Sequence, residues 1–218
     1  MTEATRYIPA AGRARLSALY DPAMALTMRE SAFRPALVAA TLVSRPQQVL
    51  DIGCGTGTLV AMLAAADTVV EVHGIDGDEA VLEQARAKTA TYADRVRLDR
   101  GFADELPIES GSVNVVTASL LLHHLSPPSK LAALAETRRV LSPGGRIVIA
   151  DWGRPHDPLM RAGFLALQML DGFENTRDHA AGRVPSLIEQ AGFSSVKVEQ
   201  RWRTVWGSLE LISGCRPV

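Results

Sequence analysis

A chain of 218 residues, 47% apolar and 22% charged, is long enough for one α/β domain with a substantial core. Its 23 basic and 24 acidic residues leave a formal charge of −1, which argues against nucleic acid as a partner and against a polybasic membrane anchor. Cys54 and Cys215 lie far apart, without CxxC spacing or a histidine at zinc-ligand distance, so reduced thiols of a cytoplasmic protein are expected.

Residues 11–43 read as helical, with Leu16, Leu19 and Tyr20 on one face, an interruption at Pro22, and Phe33, Leu37, Val38 and Leu42 continuing the spacing. Pro46 ends that stretch, and residues 1–45 are expected to form an N-terminal helical arm. The start, MTEATRYIPA, lacks the apolar core and cleavage site of a signal peptide. No apolar run approaches the roughly 20 residues of a membrane helix.

From Gln47 the pattern alternates. Gln47–Ile52 is a buried strand entering a glycine turn, and Thr58–Ala66 a helix rich in Ala and Leu. Val69–Ile75 is a strand, Glu79–Thr91 a helix, and Arg95–Asp99 a strand of period two. Val113–Ala118 is a buried strand, and a helix opens at Pro127 or Pro128 and runs to Leu141. Ser142-Pro143-Gly144-Gly145 reads as a turn before the buried strand Arg146–Ala150.

After Asp151 the rhythm changes. An insertion at about 152–182 holds the helical segment Leu159–Leu170 and then a polar run. Pro185–Ala191 is a helix closed by Gly192, and Ser195–Trp202 with Trp206–Ser213 make a final hairpin. The expected fold is α/β: a Rossmann-like, seven-stranded, mostly parallel sheet with helices on both faces, a C-terminal antiparallel hairpin and a helical lid, over residues 46–218.

Val49-Leu50-Asp51-Ile52-Gly53-Cys54-Gly55-Thr56-Gly57 is the most informative segment. A strand runs into three alternate glycines and a helix follows, an arrangement that lets a ligand lie against main chain at a helix N-terminus. The order G-x-G-x-G differs from the dinucleotide fingerprint G-x-G-x-x-G. Asp51 would repel a pyrophosphate and suits a ligand bearing an ammonium and a sulfonium. Asp76 ends the second strand about 20 residues past the glycines, where such folds hydrogen-bond a ribose, while Asp78 is free to cap the next helix.

On these motifs the chain resembles the class I S-adenosylmethionine-dependent methyltransferases, especially the branch of ubiquinone and menaquinone C-methyltransferases and phospholipid N-methyltransferases. The matching pieces are VLDIGCGTG at 49–57, GIDGDEAVLEQAR at 74–86, ELPIESGSVNVVTASLLLHHL at 105–125, RRVLSPGGRIVIAD at 138–151 and PSLIEQAGF at 185–193. The resemblance implies S-adenosylmethionine as cofactor, leaving S-adenosylhomocysteine. It implies that Asp51, Gly53, Cys54, Gly55 and Gly57 surround the methionine part and that Asp76 binds the ribose, with Gly77 near the adenine. The family's adenine-binding Asp is replaced here by Phe102, so Phe102 and the backbone of Ala103 are expected to take that place. By the same resemblance the backbone of Ser119, after the fourth strand, is expected to face the amino-acid end.

A methylsulfonium is already electrophilic, so a base is needed only where the nucleophile is protonated. The candidates are His123 and His124, which in the resembling family begin the helix after the fourth strand, and Asp151 at the end of the fifth. Tyr20, His156, Phe164, Met169, Phe173 and His179 are candidates for an apolar acceptor pocket. No metal-ligand cluster is legible, so no metal is expected. The expected reaction is direct in-line methyl transfer to a small hydrophobic or aromatic acceptor, with O-, N- and C-methylation open. The expected partners are that small molecule alone, without nucleic acid or stable membrane insertion, in a monomer or homodimer. A non-catalytic nucleotide-binding or regulatory protein and a nicotinamide-dependent oxidoreductase are the rival readings.

Overall fold

The structure, a computed structural model, describes residues 29–218. Tyr20 and the first part of the expected arm lie outside the described residues. Helix α1 is Glu30–Leu42, with Phe33, Leu37 and Val38 buried, as the helical spacing requires. It leads to β1 (Gln48–Ile52), α2 (Thr58–Ala66), β2 (Glu71–Asp76), α3 (Glu79–Thr89), β3 (Val96–Arg100) and β4 (Val113–Ser119). Then follow α4 (Pro127–Val140), β5 (Leu141–Trp152), α5 (Pro158–Asp171), α6 (Phe173–Ala180), α7 (Val184–Gln190), β6 (Ser194–Thr204) and β7 (Gly207–Cys215).

The strands form one sheet in the order β3-β2-β1-β4-β5-β7-β6. Pairs β3 to β5 are parallel, and β7 is antiparallel to both β5 and β6. The expected seven-stranded sheet and terminal hairpin are both present. Successive residues of the inner strands enter opposite cores, because side chains alternate across a sheet. Val49, Val115, Val148 and Leu211 join α1, α2 and α5 through Phe33, Leu63 and Phe164. Leu50, Val116, Ile149 and Ile212 join α4 and α7 through Leu134 and Ile188. Among the described residues no helix is long and apolar enough to cross a membrane.

Three local expectations are corrected. Ser142–Gly145 is no turn between elements but an irregularity inside β5: Val113 pairs with Leu141 and Val115 with Arg146, so four residues bulge opposite Asn114. The polar run after Asp171 is the helix α6. The two histidines do not begin the α-helix that follows β4. They sit instead in one turn of 3-10 helix, Leu122–His124, set apart from α4, which starts at Pro127, where proline suits the first helical position and Ser126 accepts from the Ser129 N–H at 3.3 Å.

Candidate active site

Strands β1, β2, β4 and β5 end along one edge of the sheet, carrying Asp51, Asp76, Ser119 and Asp151 with them. Such an edge, at the point where strand order reverses, is where open α/β sheets hold ligands. The glycine turn is anchored to β2, for the N–H groups of Gly53 and Cys54 both donate to the Ile75 carbonyl at 2.8 and 3.0 Å.

The three glycines differ in what they permit. Gly55 has φ +53°, and a Cβ built on it meets nothing within 4 Å, so its α-carbon borders open space. Gly57 lets two helices touch, since a Cβ there would stand 2.8 Å from Ala85 Cβ. Gly53 would meet only the flexible end of Leu121. The thiol of Cys54 turns inward, toward Gly74, and burial pushes its pKa upward.

Asp51 is 1% exposed. Thr117 donates its hydroxyl to the Asp51 carboxylate at 2.8 Å. Burial pushes Asp51 up to about 7, against the lowering effects of Thr117 and of the nearby Arg34 cation on α1. Asp76 accepts the Gly55 N–H at 2.8 Å on one oxygen and the Asp78 N–H at 2.9 Å on the other. Burial raises it as well, with those N–H groups working the other way. Asp78 caps α3 through the Ala80 N–H, which frees Asp76 from that duty. Gly101, Phe102 and Ala103 follow β3 beside Asp76, whose carbonyl accepts the Gly101 N–H at 3.0 Å. Gly77 lies on the same side, its carbonyl accepting from Arg100 at 3.2 Å.

This cradle fits a cationic nucleoside. Carboxylates stand on both sides of an open glycine. The Ser119 hydroxyl, buried at the end of β4, lacks any hydrogen-bond partner among the described residues. A buried hydroxyl left so costs about 1–3 kcal/mol, which a ligand contact would offset.

Beyond Ser119, Leu120 takes φ +56° and turns the chain so that both histidines face β5 and the lid. Asp151 is fully buried. It accepts the Leu122 N–H, the Trp152 N–H and His123 Nδ1, each at 2.7 Å. Burial would raise its pKa, but the neighbouring His123 and His179, with these hydrogen bonds, hold it well below the usual carboxylate range. His124 stacks on His123 with ring centroids 3.9 Å apart. Burial and His123 push His124 down to about 3. His179 is wholly buried, 3.7 Å from Asp151, and also falls to about 3 through burial. Both rings are therefore neutral near pH 7.

The lid closes this corner. Asp171, the last residue of α5, stands 3.8 Å from His123 Nε2 and 3.9 Å from His124 Nδ1. The Asn175 side chain donates to the His124 carbonyl at 3.1 Å. The proposed pocket residues separate. Met169 and Phe173 are exposed, 67% and 55%, on either side of Asp171. Phe164 is no pocket residue: it is fully buried against Trp152, ring centroids 6.3 Å apart. His156 bonds the Ser208 hydroxyl at 2.7 Å, on another part of the lid.

Sequence reasoning did not single out Thr117, Arg34 or Asp171. A threonine inside the apolar run VNVVTAS was a signal for the first. Arg34 and Asp171 act across 17 and 47–48 residues of chain, and no local pattern marks them.

Residues 49–145 match the family model described as a methyltransferase domain. A demethylmenaquinone methyltransferase of Clavibacter sepedonicus is 36% identical over 151 residues, 68% of this chain and 60% of the relative. An S-adenosylmethionine-dependent methyltransferase of Thermotoga maritima superposes with a TM-score of 0.71 at 21% identity, over 93% of this chain and 97% of the other. Phosphoethanolamine N-methyltransferase 2 of Haemonchus contortus, in complex with S-adenosyl-L-methionine, gives 0.66 at 17% identity, over 85% of this chain and 52% of the other. The chain spans 32%, 48% and 60% of the length of three curated relatives that it matches.

Proposed function

From the match of residues 49–145 to a methyltransferase domain, we propose that this chain is a class I, S-adenosylmethionine-dependent enzyme that transfers a methyl group to a small acceptor with a hydrophobic or aromatic body. The observation that carries the reading is Gly55, open at its α-carbon and flanked by Asp51 and Asp76. When bound, S-adenosylmethionine supplies an electrophilic methyl on a sulfonium.

Asp51 pairs with the ammonium of its methionine part, while Arg34, ion-paired with Glu30 at 2.8 Å, adds positive potential nearby. Asp76 offers its remaining lone-pair capacity to the ribose hydroxyls. Ser119 gives its hydroxyl to the amino-acid end. Gly77, Phe102 and Ala103 border the adenine, with the Phe102 ring as a packing surface in place of the missing carboxylate.

The acceptor enters at the corner of His123, His124 and Asp171, against the exposed Met169 and Phe173. Asp151 holds His123 so that Nε2 faces this corner, where the nucleophile is set behind the donor methyl. The demethylmenaquinone methyltransferase relatives favour an apolar acceptor body.

The test has two arms. Calorimetry against S-adenosylhomocysteine and NAD separates the donor classes. Incubation with labelled S-adenosylmethionine and a panel of phenols, quinones, amines and lipid headgroups finds the acceptor. Binding of NAD without binding of S-adenosylhomocysteine overturns the reading.

A further inference from the structure

The corner beside the donor cradle has the make-up of a metal site. His123, His124 and Asp171 each offer one ligand atom, and all three atoms lie within 4.8 Å of one another. Two features distinguish this trio from an ordinary buried ion pair.

The first is the group behind His123. Its Nδ1 is engaged by Asp151 at 2.7 Å, and the neutral ring that donates there offers Nε2 toward Asp171 as a ligand atom. A carboxylate behind a histidine is the support that metal-binding imidazoles characteristically have. Asp151 also accepts the Leu122 N–H, so the turn that carries both histidines is fixed by the same carboxylate.

The second is the spacing. Asp171 faces the two rings at 3.8 and 3.9 Å, too far for hydrogen bonds. Ligand atoms around a first-row ion at about 2.1 Å stand about 3–3.5 Å apart, so the carboxylate must turn and the two rings must close inward, by up to about 1–2 Å. Asp171 ends α5 next to Gly172 at φ +92°, where α5 gives way to α6. His179 adds a buried ring 3.7 Å from Asp151, with neither nitrogen hydrogen-bonded among the described residues.

We propose that His123, His124 and Asp171 bind a divalent first-row transition-metal ion, with Asp151 orienting His123 from behind. Two imidazoles and one carboxylate suit zinc, iron or cobalt and leave coordination positions open. Those positions face the proposed acceptor entrance, so the class of acceptor is narrowed to molecules that present an oxygen, such as a phenol or an enol. The site deepens the reading of the acceptor corner and rests on that reading only for the use made of the ion.

The test is a titration of tag-free, chelator-stripped full chain with cobalt(II), followed by its visible d–d absorption and by displacement with zinc(II). One equivalent is expected to bind and to give absorption from nitrogen ligation. Asp171→Asn and His124→Gln should each weaken binding by about tenfold or more. Asp157→Asn, a carboxylate beside His156 and away from the trio, should leave binding unchanged. S-adenosylhomocysteine calorimetry on the same samples reports whether each variant is folded and whether the donor site works. A protein that binds S-adenosylhomocysteine but not cobalt(II), or whose folded Asp171→Asn and His124→Gln variants bind cobalt(II) unchanged, overturns the metal site alone. Cobalt(II) binding without S-adenosylhomocysteine binding overturns the methyltransferase reading and leaves the metal site standing.

Discussion

Thr117 stands opposite Asp51 in the paired strands β4 and β1 and gives it a hydroxyl hydrogen bond of 2.8 Å. Burial pushes the Asp51 carboxyl up to about 7, above its unfolded value of 3.8. The folded chain thus prefers the protonated acid: Asp51 favours folding fully below 3.8, and that contribution is lost as pH rises through 7. Donor binding has the opposite dependence, because an ammonium needs the carboxylate. Affinity for S-adenosylhomocysteine should tighten as pH rises from 6 to 8, by up to about tenfold per pH unit below 7, then level off. Thr117→Val should move the midpoint to higher pH, and Asp51→Asn should flatten the profile. Calorimetry in buffers of different ionisation enthalpy should register proton release. A flat profile in the unmodified protein would contradict this role.

Asp76 carries two kinds of load. Asp76→Ala should weaken S-adenosylhomocysteine binding by about 10- to 100-fold, the worth of charge-assisted hydrogen bonds of roughly 1.5–3 kcal/mol. It should also lower stability, because the Gly55 and Asp78 N–H groups lose their acceptors. Asp76→Asn should recover part of the stability and less of the affinity. Equal recovery of both would mean that the residue only braces the turn.

Two glycines of the turn predict opposite phenotypes. Gly55→Val places its side chain in open space at φ +53°, so it should cost about 1–2 kcal/mol of strain while abolishing donor binding. Gly57→Val drives a side chain into Ala85 and should cost more stability, read by urea denaturation. A folded Gly55→Val protein with unchanged affinity would contradict the cradle.

The lid is docked by a close approach. A Cβ on Gly163 in α5 would stand 2.3 Å from the Val205 carbonyl in the β6–β7 turn. Gly163→Ala should push α5 outward and cost about 1–3 kcal/mol. Phe164→Ala, which empties a fully buried site, should cost about 3–5 kcal/mol. The melting temperature should fall in both, yet S-adenosylhomocysteine affinity at 10 °C should hold, since neither residue borders the glycine turn.

How much of this was legible in the sequence follows from the range of each interaction. The strand–glycine–helix passage at 49–57 and the Asp76 strand end are local patterns, and the structure has them at one sheet edge. The mostly parallel sheet followed from alternating strands and helices, whereas the strand order β3-β2-β1-β4-β5-β7-β6 comes from the structure. Helix α6 was not legible because FENTRDHA has no apolar period; polar contacts secure it, Gln168 to Thr176 at 3.1 Å and Asn175 to the His124 carbonyl. The Ser142–Gly145 bulge reads as a turn because its backbone preferences are those of one. Phe164 was taken for a pocket residue because helical periodicity marks an inward face without saying whether core or cavity lies beneath it. Asp171 is near His123 only after the lid has folded over the sheet.

The β6–β7 ribbon carries a consequence for biogenesis. Its first strand is largely exposed, whereas its second is buried and is the one bonded to β5. On a ribosome, β6 therefore emerges with no sheet edge to join and must wait for the residues behind it. Until Gly207–Cys215 have been released, the apolar flank of β5 stays bare, a point in synthesis at which a chaperone holding that flank would do most to prevent misassembly.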